Sequence, residues 1–241
     1  MTNDLRENAF LARLSQPTLD VLAKSAQRID MAHGAGVYEP EGAVSAAYFP
    51  VSCVLSQVSR MRDGSGVETA MVGKDGAAGI IECLGSGRAV WESQVQVDGA
   101  AWAAPRQAIV DLAREDASFS SECWRLAEAQ VVEARMSTAC QALHKGEARL
   151  ARWILEAHDR SGGRDPLPLT QEILATMLGV QRTTVTAFQG ALQRRGLLAA
   201  RRGKIWIKDK AGLEAVSCEC RSTVRERRLF LGLEPKPYPA A

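Results

Sequence analysis

Residues 169–192, LTQEILATMLGVQRTTVTAFQGAL, have the pattern of two short helices joined by a tight turn. Thr170 is placed to cap the first helix, and Gly179 permits the left-handed backbone that ends it. The second helix begins near Gln181. Its inward positions are Val185, Phe188 and Leu192. This arrangement predicts a helix-turn-helix, in which side chains on the first turns of the second helix meet base edges in a DNA major groove.

A basic turn follows this pair of helices. Residues 201–204, Arg-Arg-Gly-Lys, stand between two short apolar segments at 197–198 and 205–207, which predicts a two-stranded wing with cations placed for phosphates. The outward positions of the second helix carry hydrogen-bond donors and no acid. The predicted DNA-contacting residues are Gln171, Gln181, Arg182, Thr183, Thr184, Thr186, Arg194, Arg195, Arg201, Arg202 and Lys204.

Charge is distributed unevenly along the 241 residues. Residues 1–144 hold 12 basic and 18 acidic side chains, whereas residues 145–241 hold 18 basic and 10 acidic ones. When a helix-turn-helix pattern occurs alone, it can be two helices that merely pack together. A basic turn that occurs alone can be a run of charges in contact with solvent. Their combination in the basic part of the chain favours contact between this part and a polyanion.

The first half of the chain has a different texture. Residues 3–26 have helical spacing, with a second helix opening at Pro17. From 29 to 105, short apolar segments alternate with glycines, which predicts many short strands in a sandwich or barrel. Residues 62–66, Arg-Asp-Gly-Ser-Gly, predict a hairpin turn. At the other end, the proline-containing tail from Glu234 is expected to fray.

Residues 107–114 predict a short helix and residues 119–143 a long one. Small or apolar side chains recur every three or four residues along the long helix. This seam fits either packing against the helix's own domain or a two-helix dimer contact. The seam residues are Leu126, Ala129, Val132, Met136, Ala139 and Leu143.

The order of these parts resembles the Crp–Fnr family of bacterial transcription regulators. The resemblance rests on residues 48–50, 72–76 and 149–153, the helix-turn-helix, and Leu213 followed by residues 218–220. It implies an α+β fold: a cyclic-nucleotide-binding-like β-roll (a double-stranded jelly roll) at 1–115, a dimerisation helix at 116–144, and a winged helix-turn-helix at 145–241. It also implies a homodimer on pseudo-palindromic double-stranded DNA, with RNA polymerase as a further partner.

The resemblance assigns base recognition position by position. The family's early base-reading arginine matches Arg182, which would contact guanine through two hydrogen bonds. Thr183 stands where an acid is common, and Ala187 stands where the cyclic-AMP receptor has a later arginine. We therefore expect a different target sequence from that of the cyclic-AMP receptor.

The nucleotide-binding positions of the family are altered. Its glycine matches Gly79, but Ile80 replaces the acid that holds the ribose. Glu92, before Ser93, replaces the arginine that holds the cyclic phosphate. A carboxylate has the wrong charge for a phosphate, and Arg88 would serve only in a shifted alignment. We expect no control by a cyclic nucleotide, although a nucleotide-responsive or redox- or metal-responsive sensor of the same fold is the alternative.

Other cofactors also fit poorly. The first cysteine is Cys53, so an N-terminal cysteine cluster for an iron–sulfur centre is missing from this sequence. Cys83 and His33 are the candidates for haem in the roll, but they are distant in sequence. We therefore predict no haem, no iron–sulfur cluster and no other cofactor.

Four residues near the domain junction leave two interpretations open. Cys140 and His144 are four apart on one helix face, and Cys218 and Cys220 could add two thiolates, so a zinc or redox site is one hypothesis. The Cys-x-Cys spacing is tight for one tetrahedral zinc ion. We favour core cysteines with a capping histidine, and no metal.

Several classes of protein are disfavoured. The sequence contains no P-loop, GxSxG or HExxH pattern, and His33, His144 and His158 form no evident group, so we predict no enzyme. No apolar run approaches the ~18 residues of a membrane span. The first residues include Asp4 and Glu7 and lack the apolar core of a secretion signal, so we expect a cytoplasmic protein.

Overall fold

The computed structural model describes residues 2–233, in which a β-roll is followed by a long helix and a helical domain with its own small sheet. The proline-containing tail predicted to fray, 234–241, lies outside these residues. The helices are α1 (Thr2–Leu5), α2 (Gln16–Leu22), α3 (Ile80–Leu84), α4 (Arg106–Glu115), α5 (Ala117–Leu143), α6 (Gly146–Arg160), α7 (Gln171–Leu178), α8 (Arg182–Arg194), α9 (Lys210–Val216) and α10 (Cys220–Phe230). The strands are β1 (Gln27–Met31), β2 (Gly36–Tyr38), β3 (Ala46–Pro50), β4 (Val54–Arg60), β5 (Gly66–Val72), β6 (Glu92–Val97), β7 (Gly99–Pro105), β8 (Leu198–Arg201) and β9 (Lys204–Ile207).

The roll consists of two antiparallel sheets. One has the strand order β1-β7-β3 and the other the order β2-β6-β4-β5. The predicted hairpin turn joins β4 to β5, where Gly64 has a φ of 83° and Asp63 Oδ1 accepts a hydrogen bond from the Ser65 backbone at 2.9 Å. The α+β class and the β-roll predicted from the sequence are confirmed.

The N-terminal segment confirms the predicted second helix, because α2 begins at Gln16, one residue before Pro17. The helical stretch ahead of it is interrupted and holds only α1 and a 3-10 turn at Leu11–Arg13. The interruption has a local cause: Asn8 is fully buried, and its side-chain oxygen accepts from the backbones of Phe10 and Leu11. Such side-chain bonds compete with the helical backbone pattern.

Aromatic rings occupy the centre of the roll. Phe10 stacks on Phe49 with ring centroids 6.0 Å apart and meets Phe119 edge-on at 6.4 Å. Phe119 belongs to α5, so the long helix begins inside the core of the roll. Asp116 caps this helix. Hydrogen bonds from Ser118, Thr18 and the backbone hold the pKa of Asp116 at about 2.

The second sheet of the roll also packs against the helical domain. Val54, Met71 and Val97 belong to the same apolar core as α6, α7 and α8. Five consecutive residues of β4 are buried, because the roll interior covers one face of the strand and the helices cover the other. The helical domain is therefore seated directly on the roll.

An ion network joins the roll to three helices. Arg160 of α6 contacts Asp75 at 3.4 Å and Glu133 of α5 at 3.1 Å, and Arg228 of α10 contacts the same acids at 3.5 and 2.9 Å. Burial raises the pKa of Asp75, but the two guanidinium groups outweigh it and leave the pKa below its ordinary value. The domains thus meet through charge as well as apolar packing.

Candidate nucleic-acid interface

The helix-turn-helix has the predicted geometry. The Thr170 hydroxyl accepts from the Ile173 backbone at 3.2 Å at the start of α7, and Gly179 ends that helix with φ 62° and ψ 40°. Leu174 and Met177 are fully buried beneath the turn. Because both ends of α7 are set by specific residues, the direction of α8 follows from local sequence.

Helix α8 presents its first turns to solvent. Arg182, Thr183 and Thr186 are exposed, whereas Val185 and Leu192 are fully buried, as the pattern predicts. The helix begins at Arg182, and the Gln181 side chain makes no capping hydrogen bond to its first turn. The amino end of a helix favours a negative charge such as a phosphate.

The basic turn forms the predicted wing. Strands β8 and β9 pair antiparallel, with Arg201 opposite Lys204. Arg202 and Gly203, between them, both have positive φ, at 49° and 74°. This is the backbone of a two-residue hairpin turn whose twist matches its strands. The turn holds three cationic side chains at the tip of the wing.

A groove of about 580 Å³ runs between α8 and the wing. It brings together six predicted contact residues: Gln171, Arg182, Thr186, Arg201, Arg202 and Lys204. It does not include Gln181, Thr183, Thr184, Arg194 or Arg195. Thr184 is half-buried and lies about 200° around the helix from Arg182, so it is poorly placed to share the arginine's target.

The groove also contains polar residues that sequence reasoning missed. Thr170, Gln189 and Gln193 line it. Gln189 and Gln193 are seven and eleven residues after Arg182, a helical spacing that places all three on one face. This spacing could have predicted Gln189 and Gln193 as groove residues, but both lie beyond the first turns of α8, to which the prediction of base contacts is confined.

The cations of the interface lack acidic partners. Within residues 2–233, Arg182, Arg201, Arg202 and Lys204 form no ion pair, and no acid lines the groove. Elsewhere many arginines are paired, as Arg60 is with Glu92 and Arg164 with Asp98. The groove therefore presents uncompensated positive charge, the arrangement that a polyanion neutralises.

The altered nucleotide positions of the roll have other contacts. Ile80 is buried in the core, and Glu92 pairs with Arg60 of the neighbouring strand through contacts of 2.5 and 3.0 Å. The Arg88 guanidinium donates to the Glu41 backbone at 2.7 Å. Each side chain that the alignment places at the nucleotide thus has a partner within the chain or a place in its core.

The two haem candidates, Cys83 and His33, have different surroundings in the roll. Burial raises the pKa of Cys83 to about 12, so its thiol stays protonated at neutral pH. A nitrogen of His33 lies 2.8 Å from the backbone oxygen of Gln96. In contrast, Cys140, His144, Cys218 and Cys220 come together, with their ligand atoms all within 4.8 Å of one another.

The predicted seam of α5 is corrected at two positions. Leu126 and Ala129 are buried within the single chain, and Leu126 belongs to the core of the roll, so neither side chain can meet a second copy. The large apolar side chains of α5 that are exposed are Trp124, Val131 and Leu143, at 76%, 47% and 78% exposure, and of these only Leu143 belongs to the predicted seam. The remaining predicted seam residues, Val132, Met136 and Ala139, are half-buried.

Every helix within residues 2–233 is too short or too polar to cross a bilayer. The domain boundaries predicted at 115–116 and 144–145 fall just before α5 and between α5 and α6, and they remain predictions.

Comparison with known proteins shows similarities in the helical domain and in the overall fold. Residues 148–216 match the family model of the Crp-like helix-turn-helix domain. No curated protein matches the sequence. A putative transcriptional regulator of the crp/fnr family from Eubacterium rectale is similar in structure at 16% identity, with a TM-score of 0.69 over 88% of this chain and 98% of that one.

Two further solved structures give the same fold. FixK2 from Bradyrhizobium japonicum has 16% identity and a TM-score of 0.67, over 80% of this chain and 98% of its own. TTHB099 from Thermus thermophilus, a transcriptional regulator of the CRP family, has 20% identity and a TM-score of 0.65, over 79% and 96%. Residues 148–216 therefore match the Crp-like helix-turn-helix domain, and the fold of the chain is similar to that of the solved Crp/Fnr-family regulators.

Proposed function

We propose that this protein is a sequence-specific DNA-binding transcription regulator that acts as a homodimer on a pseudo-palindromic site. The observation that carries the proposal is the groove between α8 and the wing, where Arg182, Arg201, Arg202 and Lys204 have no acidic partner among the residues that the structure describes. We further propose that it acts in the cytoplasm of a bacterial cell. The chain is a regulator and not an enzyme.

Contacts to bases and to phosphates fall to different residues. Arg182 begins the exposed face of α8, and its guanidinium can bond guanine through two parallel hydrogen bonds. Thr183 and Gln181 stand beside it. The wing and the end of α8 hold the DNA backbone. The proposed phosphate contacts are Arg194, Arg195, Arg201, Arg202 and Lys204.

A second copy of the chain covers the outer stripe of α5, which comprises Trp124, Val131, Thr138 and Ala142. All four residues are exposed in the single chain, and their spacing repeats every seven residues before a final step of four. A seven-residue repeat keeps one face toward a partner helix. Two-fold pairing there presents two recognition helices to half-sites about one helical turn apart.

The roll is proposed to act without a cyclic nucleotide and without haem or an iron–sulfur cluster. The buried Ile80 and the acid at Glu92 support this for the nucleotide, since neither can hold the ribose or the phosphate. We further propose that a surface of the dimer contacts RNA polymerase. Calorimetry with cyclic AMP and cyclic GMP tests the first point, and micromolar binding of either would contradict it.

Selection from random duplex DNA tests the main proposal. The purified full chain is expected to enrich a palindromic sequence at moderate salt, and its affinity for that sequence is expected to fall linearly on a logarithmic salt scale. Enrichment of a single half-site by a monomer would contradict the dimer. Failure to enrich any sequence at low salt would contradict the function itself.

A further inference from the structure

Four potential metal ligands converge where α5 ends. Cys140 and His144 lie one turn apart on α5, and Cys218 and Cys220 flank the start of α10. Their ligand atoms all lie within 4.8 Å of one another, although 74 or more residues separate the two pairs along the chain. All three cysteines are free thiols and are buried.

The distances match a tetrahedral zinc site. Cys140 Sγ lies 3.6 Å from Cys218 Sγ, and Cys220 Sγ lies 3.4 Å from His144 Nδ1. Zinc bonds of about 2.3 Å to sulfur and about 2.0 Å to nitrogen, at tetrahedral angles, separate such ligand atoms by roughly 3.5–3.8 Å. These two distances are close to the expected values, and because every ligand atom lies within 4.8 Å of the others, one ion can be bound by closing the set by about 1 Å or less.

The local backbone explains how the tight Cys-x-Cys spacing can serve one ion. Helix α9 ends at Val216 and α10 begins at Cys220, so the two cysteines stand on a turn. The Cys218 backbone donates to the Ala148 oxygen at 3.4 Å, which fixes this turn against the first residues of α6. Both thiols then face the end of α5.

The surroundings suit three thiolates and one neutral imidazole. His144 Nε2, the nitrogen turned away from Cys220, lies 3.1 Å from Glu219 Oε1, and a carboxylate in this position orients a metal-binding histidine. The positive charges of Arg149 and Arg152 interact favourably with Cys140 and Cys218. A zinc ion with three thiolates carries a net negative charge, which these arginines offset.

We propose that Cys140, His144, Cys218 and Cys220 bind one Zn²⁺ ion that fastens α10 to the end of α5. Four protein ligands fill the coordination of the ion, which is typical of a structural site. Lys145, between α5 and α6, adjoins His144, so the ion holds the point at which the DNA-binding domain departs from the long helix. This proposal replaces the sequence-based prediction of no metal.

Metal content and cobalt substitution test the site. The full chain, prepared with no polyhistidine tag and under reducing conditions, is expected to contain one zinc ion per chain by elemental analysis and native mass spectrometry. The Co²⁺-exchanged chain is expected to show intense d–d bands of tetrahedral cobalt and thiolate-to-cobalt charge transfer. Because these readouts use the unaltered sequence, they do not depend on a variant that folds.

Variants then assign the ligands. Cys220→Ser is expected to lose the ion, whereas Cys123→Ser, at another buried cysteine of α5, is expected to keep it. Glu219→Gln is expected to keep the cobalt spectrum and to lower metal affinity by about 10- to 100-fold. The proposal is overturned if the unaltered chain takes up no stoichiometric zinc on reconstitution, if the bound metal is iron with sulfide, or if Cys123→Ser loses zinc as Cys220→Ser does.

Discussion

The ring of Phe188, in the DNA-facing helix α8, rests directly on Gly146, the first residue of α6. A Cβ atom added at Gly146 would stand 2.1 Å from Phe188 Cε2, too close for any side chain. The glycine therefore allows α8 to pack against the start of α6, just after the end of α5. Sequence reasoning placed Phe188 inward, but its partner across 42 positions emerges only from the structure.

We expect Gly146→Ala to displace Phe188 and lower the free energy of unfolding by about 1–3 kcal/mol, the usual cost of an overpacked site. Affinity for the selected DNA should fall with it, because α8 moves. Gly190→Ala, inside α8, is the matched control, since its new Cβ meets only the end of Arg194 at 3.4 Å. The free energy of unfolding of Gly190→Ala should rise by up to about 1 kcal/mol. Denaturant unfolding of both variants measures the difference, and equal signs would contradict the packing described.

The ion network at the domain junction gives a second expectation. Glu133→Gln removes one of the two acids that face Arg160 and Arg228, leaving buried positive charge poorly compensated. We expect a loss of about 3 kcal/mol in unfolding free energy. Glu92→Gln, which breaks the more exposed pair with Arg60, should cost within about 1 kcal/mol. Similar losses for both variants in denaturant unfolding would mean that the network contributes little.

Glu68 predicts how stability depends on pH. This carboxyl is buried beside Gln96, whose amide donates to it at 2.8 Å, and burial raises the pKa of Glu68 from 4.5 to about 8. Hydrogen bonds from Ser56 and Gln96 and the charge of Arg152 oppose this rise, and the charge of Glu156 adds to it. Between these two pKa values, the folded chain keeps a proton that the unfolded chain releases. Stability from this group is therefore complete below about pH 4.5 and falls as pH rises toward 8.

The isosteric variant Glu68→Gln isolates this effect. It cannot titrate, so the fall in unfolding free energy between about pH 5 and pH 8 should be smaller than in the unaltered chain by a few kcal/mol. Denaturant unfolding at several pH values measures the slope. A variant with the same slope as the unaltered chain would show that Glu68 is already ionised when folded.

The outer stripe of α5 predicts the dimer contact. Val131→Glu places a charge on the proposed seam and should weaken dimerisation by about tenfold or more. The substitution loses the burial of an apolar side chain, worth about 1–3 kcal/mol, and puts an ionised carboxylate in its place. Val90→Glu, at an equally apolar and still more exposed position of the roll, is the control. Analytical ultracentrifugation should find the first variant partly monomeric and the second dimeric. A dimer unaffected by Val131→Glu would place the seam elsewhere.

Local chemistry explains which elements are visible in the sequence. The helix-turn-helix can be predicted because Thr170 and Gly179 set its ends, and the wing because Arg202 and Gly203 form a tight turn. Strand β7 is less evident, since its sequence GAAWAAP has low β propensity and pairs only because β1 and β3 flank it. Contacts between distant segments are harder still.

The candidate sites show the same limit. The cationic surface around Arg182 can be predicted from sequence, because residues close along the chain form that surface. The cluster of Cys140 with Cys218 does not, since it requires α10 to fold back onto α5. The seam of α5 shows the difficulty directly: periodicity finds Leu126 but cannot tell whether its own roll or a second copy covers it.

The most direct test of DNA recognition compares Arg182→Ala with Arg202→Ala on the selected palindrome and on a scrambled duplex, across a range of salt concentrations. Arg182→Ala should lose discrimination between the two duplexes by about 10- to 100-fold. Arg202→Ala should weaken binding to both alike and reduce the logarithmic salt slope by about one. If the unaltered chain binds neither duplex, or if the two variants behave identically, then α8 and the wing do not recognise DNA in the way proposed here.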